Sequence, residues 1–379
     1  MASLMNRMLW SAVALITACG VSEAQLGGNE DSTGESELGL STKILGNTTC
    51  AVGATDCNVC VNDVFGTVDR GFGGRFVWTN GRWDFTWERQ YPPSNTKPIG
   101  VFHDGVALVD KPEHHVQGFV HTNSADVPFM VTHSDDTKGG IGRIDKNNKL
   151  ATLIRSNDNH PTGGQVLGNS FLFAEVATLR VVNVTGPERS QLFPLPKPTW
   201  AKPGQGLSGG GVGAVKLQDG RTLVISSTPG GDAAGTRRTL FYAKPGALTA
   251  PAPFTLIAQT DYAQPAGWKG DYQRSENLSV ITECGTGTIF TLHVTGDRDM
   301  YGRGYFRLSR VDTVNGLPKL TTVKAYNMDQ SIWDCHLRSS GTAWARPDHS
   351  LGLACHEWIA RRGLFGWNDD GDFSFRTAK

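Results

Sequence analysis

An all-β fold of the β-propeller type, with five to seven blades, is what this sequence predicts, and three observations predict it. The first is turn chemistry: 46 glycines and 18 prolines stand among 379 residues. Long helices tolerate neither, since Gly costs about 1 kcal/mol and Pro about 3 kcal/mol in a helix interior. The second is a series of hairpins in which short apolar segments flank a Gly-containing dipeptide. The third is that strand-leading segments recur at the length of a propeller blade. Ten tryptophans and 17 phenylalanines fit the same fold, because aromatic side chains pack well on a pleated surface.

The hairpins come first along the chain. Arg75 to Thr79, the dipeptide Asn80-Gly81 and Arg82 to Trp87 keep period two: Phe76 and Trp78 lie before the turn, and Trp83, Phe85 and Trp87 after it. Asn-Gly between alternating segments is the signature of a type I′ turn. The scheme repeats at Leu167, Gly168-Asn169 and Phe171 to Phe173, then at Ala214 to Leu217, Asp219-Gly220 and Thr222 to Ile225, and again about Asn315-Gly316. Polar, glycine-bearing segments lead into strands at Glu113 to Gly118, Asn159 to Gln165, Leu207 to Gly211, Gln273 to Asn277 and Trp333 to His336. Taken from His114, His160, Ser208, Glu276 and His336, the separations are 46, 48, 68 and 60 residues. A four-stranded blade takes about 40–50 residues, and inserted loops account for the longer gaps. The competing architecture, a β-sandwich, predicts turn signals but no repeat of this length.

Ahead of this domain the chain reads as an export signal and a tether. Arg7 precedes the apolar run Met8 to Ile16, and Thr17-Ala18-Cys19-Gly20 follows. A basic start, a short apolar core and small residues after it describe a secretory signal, and the run is too short to span a bilayer. Ile16-Thr17-Ala18-Cys19 resembles the lipobox of bacterial lipoproteins, which implies lipidation of Cys19 and, if the source is Gram-negative, the outer membrane, because Gly20 and not Asp follows the cysteine. The alternative is an ordinary signal cleaved after Ala24, since Ser22-Glu23-Ala24 fits the small-x-small rule. Residues 20–49 are rich in Gly, Ser, Thr and Glu, with Lys43 the lone basic residue, a composition that buries too little surface to fold. The expected organisation is a signal peptide over 1–18, a flexible tether over 19–49 and a propeller-like domain over 50–379. Asn47, Asn183 and Asn277 each open an acceptor triplet for N-glycosylation, so a eukaryotic source stays open.

Six cysteines remain besides Cys19: Cys50, Cys57, Cys60, Cys284, Cys335 and Cys355. An even number in an exported chain predicts three disulfides. Cys335 with Cys355 is the most natural pair, because the two flank one candidate hairpin. Cys57-Asn-Val-Cys60 could instead be a redox pair or half a zinc site, but no βαβ pattern, second Cys-x-x-Cys or following His supports either.

His160-x-x-Gly163-Gly164-Gln165 before a strand, Gly209-Gly-Gly211 before the next, and Glu276 to Cys284 later together resemble a group of secreted bacterial β-propeller proteins of unassigned function. The likeness covers roughly residues 90–360 and extends loosely to lactonase-like propellers. It implies the fold and carries over no catalytic residue or metal ligand.

The residues that could carry chemistry follow from the repeat. If the leading segments open the innermost strands, then His114, His115, His160, Glu276, Asn277, Asp334 and His336 surround the mouth of a central channel, with His356 and Glu357 near them. Imidazoles and carboxylates together can hold a divalent metal or serve as acid and base; taken singly, each His reads as a strand cap or a hydrogen bond to the next blade. Three further motifs fail. Gly206-Leu-Ser208-Gly-Gly210 has the letters of a nucleophile elbow without its strand and helix. His356-Glu357 begins like a zinc-protease helix, but Ala360 stands where the second His should be. Asp135-Asp136 and Asp369-Asp370-Gly-Asp372 read as solvated hairpin tips. Formal net charge is zero and no Lys/Arg run exceeds two, which argues against a nucleic-acid partner. The expected function is binding of a small molecule or polymer at the funnel, outside the cytoplasm, with the membrane met only through a lipid anchor. The alternative is a metal- or His-dependent hydrolase or lyase acting on a sugar, lactone or ester.

Overall fold

Strands dominate the described residues, mostly in four-stranded antiparallel sheets, as the turn chemistry predicts. A computed structural model describes residues 43–69, 87–91, 101–103, 106–108, 116–133, 140–144, 146, 150–155, 161, 163–175, 178–186, 190–201, 210–227, 238–261, 275–296, 304–328, 341–363 and 366–378. All of them belong to one unit, Leu40–Lys379. The one helix among these residues is α1, Val64–Val68, whose N-terminal Asp63 side chain accepts from the Gly66 N–H. No helix among them is long and apolar enough to cross a membrane.

Strand β1 (Trp87–Tyr91) is followed by a ribbon of β2 (Val101–His103) and β3 (Val106–Leu108). Four sheets of consecutive strands come next. The first holds β4 (Val116–His121), β5 (Phe129–His133), β6 (Gly140–Ile144) and β7 (Leu150–Arg155). The second holds β8 (Gln165–Leu167), β9 (Ser170–Glu175), β10 (Thr178–Asn183) and β11 (Ser190–Pro194). The third holds β12 (Val212–Lys216), β13 (Thr222–Ser227), β14 (Arg238–Lys244) and β15 (Thr255–Asp261). The fourth holds β16 (Ser275–Thr282), β17 (Ile289–Gly296), β18 (Gly304–Val314) and β19 (Leu317–Met328). A composite sheet combines β20 (Gly341–Ala345), β21 (Leu351–Gly363) and β22 (Gly366–Ala378) with β1, which pairs antiparallel to β22. Each sheet is a meander with its first strand at one edge. Those edge strands touch in a cycle, β4 to β8, β8 to β12, β12 to β16, β16 to β20 and β20 back to β4. This is a propeller-like arrangement.

Three of the turn dipeptides lie where the sequence puts them: Gly168-Asn169 joins β8 to β9, Asp219-Gly220 lies between β12 and β13, and Asn315-Gly316 joins β18 to β19. Asn315 and Gly316 have φ of 51° and 76°, the left-handed pair that a two-residue type I′ turn requires. The Asn80-Gly81 turn lies outside the described residues.

Middle strands are buried on both faces because sheets stack on one another. On β13, Leu223 and Ile225 join the core shared with the fourth sheet, while Val224 joins the core shared with the second. On β14, Phe241 faces one way and Leu240 and Tyr242 the other. Outer strands β11 and β15 are largely exposed or half-buried.

The N-terminal stretch 43–69 is part of this core. Ile44 is buried between the third and fourth sheets, and Val59, Val61, Val64 and Val68 between the fourth and the composite one. Residues 43–49 therefore pack, although their composition groups them with the tether. Full burial of each such side chain contributes about 1.5–3 kcal/mol, enough to hold a short segment that composition alone would leave loose.

Candidate functional site

The axis is where the first strands meet, and its chemistry begins with glycine. A Cβ on Gly118 would lie 2.5 Å from the Gly163 Cα, and one on Gly211 would lie 2.5 Å from the backbone of Asn277 and Leu278. At Gly213 it would meet the Gln165 Oε1 at 2.5 Å and the Val280 Cγ2 at 2.6 Å. The Gly-rich segments that lead into strands thus let backbones approach around a narrow centre.

Gln165 closes that centre. Its Nε2 donates to the Val280 carbonyl at 2.8 Å, and its Oε1 accepts from the Val280 N–H at 2.8 Å and the Ala214 N–H at 3.1 Å. One amide therefore ties β8 to β12 and β16. The Ser279 hydroxyl accepts from the Ala343 N–H at 3.0 Å, linking β16 to β20. Below Gln165 a cavity of about 10 Å³, lined by Asn47, Asn58, Lys216, Thr282 and Ala345 among others, has room for about one water.

One end of the axis is covered by the chain itself. The turns that follow β8, β12, β16 and β20 receive residues 45–62. The Thr55 carbonyl accepts from the Asn169 N–H, and Asn58 bonds both the Val166 carbonyl and the Gly168 N–H. Leu45 to Asn47 bond Lys216, Gln218 and Gly287, Val61 bonds Thr282 and Cys284, and the Asn62 N–H donates to the His349 carbonyl. A Cys60–Cys284 disulfide fastens this cover to the fourth sheet, and Cys50–Cys57 closes a loop within it.

Of the sequence-predicted residues, Asn277 is buried at the axis on β16. Glu276 is its neighbour on that strand, and Cys355 and His356 are on β21, where Cys355 is in register with Gly341. His114, His115, His160, Asp334, His336, Cys19 and Cys335 lie outside the described residues. The strands they precede, β4, β8 and β20, do meet at the axis. The Cys57-Asn-Val-Cys60 motif is neither a redox pair nor half a zinc site, because its two cysteines belong to different bridges.

Several ionisable groups escape a reading of the sequence. Glu175 and Arg180, both buried, face each other across the β9–β10 hairpin at 2.6 and 3.1 Å, and Arg180 also donates to the Ser190 hydroxyl. His293 and Arg307 are register partners on β17 and β18; burial and the Arg307 charge hold His293 well below its ordinary pKa. His121, on β4, stacks on Trp344 of β20 with ring centroids 4.2 Å apart, and burial with the nearby Arg346 lowers its pKa to about 4. Lys244 lies over the rings of Phe193 and Phe254, and burial lowers its pKa to about 8. The spacing of glycines 211 and 213 in an otherwise apolar strand was the available signal for the closed axis. The buried ionisable groups gave none: the His293–Arg307 pair follows from strand register, and the surroundings of Glu175, Lys244 and His121 follow from packing.

No family model and no curated protein matches the chain. Among solved structures, a Saccharomyces cerevisiae Dbp5 variant bound to Nup159, a Gle1 variant, IP6 and ADP matches at 9% identity, over 64% of this chain and 70% of that one. Its TM-score of 0.22 is too low to carry any argument.

Proposed function

We propose that this chain is an exported, lipid-anchored, five-bladed propeller that binds a small molecule or polymer in a blind funnel. The funnel is entered from the end where β4, β8, β12, β16 and β20 begin. The observation that carries this reading is the closed axis: Gln165 bridges three first strands, and residues 45–62 cover the far end. A ligand is then left one approach, from the end where those strands begin; in the sequence His114, His115, His160, Asp334 and His336 precede β4, β8 and β20, and Glu276 is the second residue of β16. Cyclic contact of the first strands and closure of the last sheet by β1 support the blade number. Two disulfides support an oxidising compartment, since such bonds persist outside the cytoplasm.

The test is thermal stabilisation of purified protein by a panel of polysaccharides, sugar acids and lactones, with metal analysis after dialysis. A ligand that binds only the folded state raises the melting temperature with saturating dose. One panel member should do so, with the shift lost in His160→Ala at unchanged basal stability. A panel without effect, or an equal shift in His160→Ala, refutes the funnel reading. Turnover of a lactone or ester probe by metal-loaded protein would replace binding with catalysis at the same residues.

A further inference from the structure

The covered end of the axis holds a second group of chemically capable side chains, from three separate parts of the chain. The His349 Nδ1 lies 3.7 Å from the Cys60 Sγ and 3.7 Å from the Cys284 Sγ. The three candidate ligand atoms lie within 4.8 Å of one another, with Cys60 buried and the other two half-buried. His349 is set in place by its backbone: φ is 66°, its N–H donates to the Arg346 carbonyl at 2.9 Å, and its carbonyl accepts from the Asn62 N–H at 2.8 Å. Its Nδ1 also lies 3.0 Å from the Cys60 carbonyl, which fixes the proton on that nitrogen while the disulfide is intact.

We propose that reduction of the Cys60–Cys284 bond converts this group into a zinc site, with two thiolates and the His349 Nδ1 as ligands and a water completing the tetrahedron. The geometry is already near the requirement. With Zn–S near 2.3 Å and Zn–N near 2.1 Å, a tetrahedral site has S···N edges of about 3.6 Å and an S···S edge of about 3.8 Å. Both S···N distances are in place at 3.7 Å, so the sulfurs alone have to part. A borderline-soft cation bound by thiolate and imidazole is zinc chemistry, and a hard cation such as calcium is not suited to these donors.

The steps balance. Two equivalents of a thiol reductant each give up one electron and one proton, and join as their own disulfide. The Cys60–Cys284 bond takes the two electrons and two protons to give two thiols. Zinc then displaces both thiol protons, which leave to solvent, and the imidazole proton moves from Nδ1 to Nε2 as the bond to the Cys60 carbonyl is given up. The disulfide and the metal exclude each other, so the site exists only in reduced protein. It lies away from the proposed funnel mouth and does not depend on that reading.

The test uses the full chain with Cys19, Cys50, Cys57, Cys335 and Cys355 replaced by Ser, so that Cys60 and Cys284 are the only thiols. After reduction by a phosphine, cobalt(II) is titrated as an optical probe and zinc as its competitor. One equivalent of cobalt should bind with a thiolate charge-transfer band, and zinc should bleach it. Oxidised protein should show no band. His349→Ala should weaken binding by about tenfold or more, the least that loss of a metal-orienting group costs. If the five-serine chain does not fold, reduced wild-type protein is compared with its Cys60→Ser and His349→Ala variants. Absence of the band in reduced protein, or equal affinity in His349→Ala, overturns the proposal.

Discussion

Gln165 satisfies three backbone groups of two other strands with one amide. An amide is suited to this because it both donates and accepts, whereas a carboxylate of the same shape could not donate to the Val280 carbonyl. Gln165→Leu keeps the volume but strips the Ala214 N–H, the Val280 N–H and the Val280 carbonyl of that partner. Each buried polar group left unmade costs about 1–3 kcal/mol, so the variant should lose at least about 2 kcal/mol in urea unfolding. A variant as stable as wild type would show that water replaces the amide, and the axis would not be closed by Gln165. This role was legible only in part. The Gly163-Gly164-Gln165 segment was visible as a strand leader, but which backbone its amide reaches depends on β16, 115 residues away.

At the scale of elements, the seam between β4 and β20 is where the first of the consecutive sheets meets the composite one. His121 stacks on Trp344, lies edge-on to Phe129 at 5.1 Å, and its Nδ1 accepts from the Asn123 N–H; the Asn123 side chain donates to the Ala345 carbonyl. The folded pKa of His121 is about 4, below the ordinary 6.5, because burial and Arg346 disfavour its cation. Between those pH values the unfolded chain binds a proton that the folded chain does not, so stability falls as pH drops through the window. The melting temperature should therefore decline from pH 6.5 to 4, and His121→Phe, which keeps the stack, should flatten that decline. An unchanged slope in His121→Phe would remove His121 as its cause. Local turn chemistry made Gly168-Asn169, Asp219-Gly220 and Asn315-Gly316 readable, since a dipeptide sets its own φ. The pairing of β1 with β22 was not readable, because nothing in Trp87–Tyr91 encodes a partner as distant in sequence as Ala378 is from Trp87.

For the whole molecule, residues 43–69 bind the fold together from the covered end. Composition groups residues 43–49 with a polar tether, yet Ile44 is buried and Gly46 bridges Leu217. The dipeptide Ile44-Leu45 among polar neighbours is too short to carry a periodic signal, so the burial of Ile44 depends on a surface that the rest of the chain builds. The same distance effect hid the Cys60–Cys284 pair, 224 residues apart, while the spacing of strand leaders at roughly blade length was visible throughout. The proposed binding function requires those leaders to meet around one blind funnel. A crystal structure that resolves the side chains of His114, His160, Glu276 and His336 tests this directly. At least three of the four should lie in one solvent-open cavity above Gln165. Finding them on opposite faces, or each buried singly against apolar neighbours, would contradict it.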